Sequence, residues 1–149
     1  MASLTLGWEV KMANTKPIGV AYSDQDIYGA DQLLSNSKLG YTAAALGTVT
    51  QATDKTTGVT LNKSAGRITM NAAALANGVA VSFTLTNSFI SANDVLVLCI
   101  SGGAVADPLA YTAYTSLLSA GSAVITLRNL SATPRSEAVV VNFAILHCE

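Results

Sequence analysis

From Gly47 onward the chain keeps a two-residue beat, clearest at residues 79–87, VAVSFTLTN. Val79, Val81, Phe83 and Leu85 fall on one side of an extended backbone, and Ala80, Ser82, Thr84 and Thr86 on the other. A strand has that period, because successive side chains point to opposite faces of a sheet. Comparable stretches recur at 48–52, 59–62, 67–71, 95–100, 109–115, 123–129 and 137–146, separated by Gly, Asn, Asp and Pro. Val139, Val141, Phe143 and Ile145 share one face of the last, and Ile125 and Leu127 point inward on the one before. Residues 95–100, VLVLCI, are apolar at every position, which predicts a central strand covered on both faces with Cys99 in the core. With short connections and almost no helical pattern, the chain is expected to be all-β: a jelly-roll-like antiparallel β-sandwich of about eight strands.

Residues 13–46 do not share this pattern. Pro17, Gly19, Gly29 and Gly40 interrupt them and no period is sustained, so they read as an extended N-terminal arm ahead of a sandwich domain at 47–149. Ile18, Val20, Tyr22, Ile27 and Tyr28 are apolar residues in a segment that cannot bury them alone, which makes them the candidate partner contacts. Ahead of the arm, WEVKM at residues 8–12 can be encoded with GGAGGTG a few nucleotides before the ATG of Met12. That is the form of a bacterial ribosome-binding site. Residues 1–12 are therefore set apart as a leader running to an internal start at Met12, the alternative being chance agreement of codons.

Charge narrows the function classes. Only 11% of residues are charged and the formal net charge is −1. Lys55, Lys63, Arg67, Arg128 and Arg135 are scattered, and between Arg67 and Arg128 the only ionised side chains are Asp94 and Asp107. A nucleic-acid binder needs clustered cations to neutralise phosphates, so nucleic acid is not an expected partner. No apolar run approaches the length of a membrane span, and residues 1–12 lack the form of a signal peptide. The expectation is synthesis in the cytoplasm and no membrane association.

Chemistry-bearing patterns start and then fail. Asp24, Asp26 and Gly29 in SDQDIYG resemble the start of a calcium loop, but Tyr28 takes a ligand position and Ser35 stands where the bidentate Glu belongs. His147 is the only histidine, and nothing in the sequence places a Ser and an Asp beside it. CISGG at 99–103 lacks the Gly-x-Ser-x-Gly spacing of a nucleophile elbow. Asp94, beside Asn93, and Asp107, before Pro108, are explained by turns. There is no phosphate loop and no zinc spacing. Cys99 and Cys148 are the only cysteines, and nothing pairs them. The reading is a protein without catalytic residues, metal or cofactor. The weakest alternative is a carbohydrate-active enzyme, disfavoured by the scarcity of His, Trp and paired acids.

GTVTQATDKTTGVTLNKSAGRITM from Gly47, VSFTLTNSFISANDVLVL from Val81, and SAVITLRNLSATPRSEAVVVNFAIL ending at Leu146 resemble a module of tailed-bacteriophage structural proteins. It is similar to capsid cement (decoration) proteins, of the kind seen on a Bordetella phage. The resemblance covers about two thirds of the chain and carries over no catalytic residue. It implies a virion structural protein on the capsid exterior that stabilises the shell by bridging neighbouring major capsid protein subunits. Its partners would be the major capsid protein and a second or third copy of itself, as a homodimer or homotrimer on a local symmetry axis. The alternative it leaves open is a tail or fibre module that binds a host surface ligand.

Overall fold

The computed structural model describes residues 38–103 and 107–148. The candidate arm contacts Ile18, Val20, Tyr22, Ile27 and Tyr28, the SDQDIYG segment and the leader lie outside the described residues. After a short 3-10 turn at Ala43–Ala45 the described residues form eight strands. They are β1 (Leu46–Thr50), β2 (Val59–Thr60), β3 (Ala65–Thr69), β4 (Ala80–Thr86), β5 (Val95–Gly102), β6 (Tyr111–Ser119), β7 (Ser122–Asn129) and β8 (Val140–Leu146). All eight expected strands are present, with shifted ends.

Two four-stranded sheets carry them. The first has the order β1-β3-β8-β5 and the second β2-β4-β7-β6. Strands β3 to β8 wind in jelly-roll order. β3 pairs antiparallel with β8 and β4 with β7, then β5 and β6 add outside β8 and β7. Two further pairs, β1 with β3 and β2 with β4, are parallel, where antiparallel neighbours were expected throughout. The connectivity gives the reason. From β1 to β6 the chain changes sheet at every connection, so two changes return it to its starting sheet in its starting direction. Only β6 and β7 are joined as a hairpin within one sheet, through Ala120 and Gly121.

The core is the meeting of the two inner faces. The first sheet contributes Ile68, Val141, Phe143 and Ile145, and the second Phe83, Leu85, Ile125 and Leu127, each at most 3% exposed. Burying each such side chain contributes roughly 1.5–3 kcal/mol. Gly66 lies on the inner face of β3, where a Cβ would meet the Leu61 side chain at 2.6 Å and the Phe143 ring at 2.8 Å. A larger residue there would displace both. Gly103, at the end of β5, has φ +79°, and its missing Cβ would sit 2.1 Å from the Ala138 carbonyl oxygen. Only glycine fits that crossing of two backbones.

One expectation is overturned. Among the described residues β5 is an edge strand, not a central one: the side of β5 away from β8 has no neighbouring strand. Leu96, Leu98 and Ile100 pack against the core, while Val95 and Val97 are 48% and 54% exposed and Cys99 faces out. A run apolar on both faces reads as doubly buried, but nothing described covers this strand's outer face.

Candidate functional site

The outer face of the first sheet is built in rows. The registers β1–β3, β3–β8 and β8–β5 align Leu46, Ala65, Ala144 and Val97 across all four strands. The next row is Thr48, Arg67, Asn142 and Cys99. Beyond the first row lies the pair Leu146 and Val95. The face is therefore apolar at one end and polar at the other. Leu46 is 51% exposed and Leu146 60%, which with Val95 and Val97 leaves four large aliphatic side chains in water. Four strands at about 4.8 Å spacing make the row about 14 Å long. Beside it an open depression of about 400 Å³ lies over β1, β3 and β8, bordered by Leu46, Thr48, Ala65, Arg67 and Asn142. Asn142 is oriented by the Ser101 hydroxyl, which donates to its Oδ1 at 2.8 Å.

The second sheet's outer face is different. It carries Ser82, Thr84, Thr86, Thr112 and Thr126, whose hydroxyls bond partly to one another. Ser82 and Thr126 hydroxyl oxygens are 2.8 Å apart, and Thr126 donates to Ser116 at 2.9 Å. Tyr114 and Leu117 are exposed on this face, whereas Tyr111 points into the core.

The charged groups at the two ends of the sandwich act within the fold. At the end bearing the 51–58 and 130–139 loops, Arg135 pairs with Asp107 at 2.5 Å and Glu137 at 2.9 Å. The Tyr111 hydroxyl donates to Glu137 at 2.6 Å. That bond first, then the Glu137 backbone N–H and the Arg135 guanidinium, hold the Glu137 carboxyl below its usual range against the cost of burial, and burial pushes the Tyr111 phenol up. Lys55, 3% exposed, donates to the carbonyls of Asn71 and, at 2.8 Å, Glu137. Burial lowers its pKa, partly opposed by the Glu137 charge. Gln51 closes the same loop, giving its amide to the Lys55 and Thr57 carbonyls and accepting from the Asn71 N–H. Asn129, fully buried, donates to the carbonyls of Leu75, Ala76 and Thr133 and accepts from the Ser131 N–H and hydroxyl.

At the other end Asp94 does more than form a turn. Its carboxylate accepts from the Ser91 N–H at 2.8 Å, from His147 Nδ1 at 3.0 Å and from the Cys148 N–H at 3.3 Å. These donors, the Ser91 N–H first, hold it below the usual carboxylate range. The expectation that nothing places an acid beside His147 is thus corrected. The pair ties the end of β8 to the β4–β5 turn, and what Ser91 offers it is a backbone N–H, not a nucleophile. Cys99 and Cys148 are both free thiols. Cys99 pairs with Asn142, six residues before Cys148, so the strand rise sets them about 20 Å apart.

Among the described residues no three His, Cys, Asp or Glu side chains gather where a metal could be held, and no helix is long and apolar enough to cross a membrane. No protein-family model, no curated protein and no solved structure matches the chain. The sequence reading named arm residues, which lie outside the described residues, and did not single out the exposed Leu46, Val95, Val97 and Leu146. VLVLCI reads as a strand covered on both faces, which puts Val95 and Val97 in the core, and Leu146 falls on the face opposite Val139, Val141, Phe143 and Ile145.

Proposed function

We propose that this chain is a virion structural protein that binds the outside of an assembled tailed-phage capsid and stabilises it by bridging neighbouring major capsid protein subunits. The observation that carries the proposal is the apolar end of the first sheet's outer face, where Leu46, Val95, Val97 and Leu146 stand in water. Large aliphatic side chains left in water at one end of a sheet face suit a protein partner. The ionised groups nearest to forming a site, around Arg135 and Asp94, are engaged in closing loops, which suits a part whose work is contact. The similarity of Gly47 to Leu146 to phage cement modules supplies the partner's class. Each copy would bind weakly, and many copies on one shell would stabilise it because they bind the assembled state and not the free subunits.

The test is gold labelling of intact particles with an antibody to this chain. Label spread over heads is the expected result. Label confined to tails would replace the proposal with the tail or fibre reading, and a chain absent from purified particles would overturn both.

A further inference from the structure

A sandwich of two open sheets has four edges, and three of these are blunted. β2 has only two residues, Val59–Thr60. β6 has a register break between Thr115 and Leu117, and the Ser116 hydroxyl there bonds back to the Val124 carbonyl. β1 is five residues long, and beside its start Lys63 Nζ holds the Ala44 carbonyl at 2.8 Å. Short strands, bulges and lysines are the usual means by which an edge is kept from pairing with another chain.

The fourth edge, β5, has none of these along most of its length. It runs eight residues, contains neither charge nor proline, and keeps an unbroken register with β8 from Val95 to Ile100. In an antiparallel ladder half of a strand's N–H and C=O groups point away from its one neighbour. Among the described residues β5 makes no backbone hydrogen bonds except those to β8. Its free side asks for an extended backbone, and its side chains ask for apolar neighbours: Val95, Val97 and Cys99 outside, half-buried Leu96, Leu98 and Ile100 inside.

We infer that β5 pairs with β5 of a second copy of this chain, antiparallel across a two-fold axis, joining the two first sheets into one of eight strands. The strand is self-complementary in the way such an axis requires. With Val97 opposite itself, Val95 meets Cys99 and Leu96 meets Leu98, so apolar residues face each other from 95 to 99, while Ile100 falls opposite Asp94. No charge in the strand is placed against its own copy. The inference stands on the edge itself and holds whether or not the chain belongs to a virion.

The experiment is sedimentation velocity on the full chain over a concentration series, with Val97→Lys beside the parent. Val97 is exposed, so lysine there leaves the core alone while setting two like charges at the axis. The parent is expected to sediment as a dimer, and V97K as a monomer or with its dissociation constant raised at least tenfold, with unchanged circular dichroism. A parent that stays monomeric at hundreds of micromolar overturns the inference, as does a dimer that V97K leaves intact. Should V97K not fold, amide hydrogen exchange on the parent decides. Amides of residues 95–100 must gain protection as concentration rises, and unchanged protection there overturns the pairing. A trimer also overturns it, since a two-fold cannot make one.

Discussion

Replacing Asn129 tests how the loop end of the sandwich is closed. Its amide gives two hydrogens to three carbonyls, Leu75 at 3.0 Å, Ala76 at 3.2 Å and Thr133 at 2.9 Å, and its carbonyl takes two bonds from Ser131. At about 1 kcal/mol net per hydrogen bond, five contacts would sum to about 5 kcal/mol. Three of them share two hydrogens, and the Ser131 hydroxyl also donates to the Thr133 carbonyl at 2.9 Å, so it keeps a partner. Asn129→Ala should therefore cost about 3 kcal/mol, the upper end of single-residue effects. With a urea slope of about 2 kcal/mol/M, the unfolding midpoint should fall by about 1.5 M. Asn129→Asp sharpens the test. An ionised carboxylate has no hydrogen to give and would face three carbonyl oxygens, while Arg135 is committed to Asp107 and Glu137. Its pKa in the folded state should be raised, because the neutral acid is favoured there. The folded state then holds more protons than the unfolded one, so stability falls as pH rises through the carboxylate range. Relative to the parent, N129D should lose more stability at pH 7 than at pH 4. A loss below about 1 kcal/mol for N129A, where typical single hydrogen bonds lie, or an N129D no worse at pH 7 than at pH 4, would refute the reasoning.

Further expectations follow from other contacts. Gly103→Ala should destabilise severely, by about 3 kcal/mol or more, because a backbone must move to admit the Cβ, whereas Gly121→Ala, at φ +79° with open space around it, should cost about 1 kcal/mol; paired urea melts compare them. Asp94 is held below its ordinary value of 3.8, so its contribution is present above that pH and lost as pH falls through the lowered value. Asp94→Asn should flatten the fall of melting temperature with acid, and an unchanged acid limb would contradict this. Lys55 has its pKa lowered by burial from the ordinary 10.5, so the unfolded chain binds more protons just below that pH and stability gains as pH rises there. Lys55→Met should remove this gain in alkaline denaturation curves. Deleting residues 13–30 should lower binding to assembled shells in a co-sedimentation assay while far-ultraviolet circular dichroism keeps its β signature.

The strand pattern was legible because its cause is local. β4 alternates as its sequence does, with Phe83 and Leu85 buried and Ser82, Thr84 and Thr86 exposed. Val139, Val141, Phe143 and Ile145 are buried together at β8. What was not legible depends on which strand lies beside which. Residues 95–100 look the same whether a second sheet or a second protein covers Val95 and Val97, so the edge position of β5 was hidden. The parallel pairs were hidden too, because strand direction depends on when the chain changes sheet. His147 and Asp94 are 53 residues apart in sequence, and only the β5–β8 register, which sets Val95 against Leu146, brings them together. Asn129 looked like an ordinary strand end, and its role as a hub depends on two loops, at 75–76 and 131–133, meeting there. Of the candidate site, VLVLCI was visible as a run and misassigned as core.

The position of β8 also bears on how the chain is made. β8 lies between β3 and β5, so the strands of the first sheet that precede it cannot join as that sheet until residue 146 has been synthesised. The second sheet is less dependent, since β4, β6 and β7 are complete by residue 129. The pairing of β3 with β8 spans most of the described chain, a non-local contact of the kind that slows folding. During that interval the apolar strand that β8 will cover is open on both edges. A bacterial cell making this protein in quantity should therefore hold a half-assembled sandwich, and a chain released at residue 138 should collect in inclusion bodies instead of folding as a smaller domain.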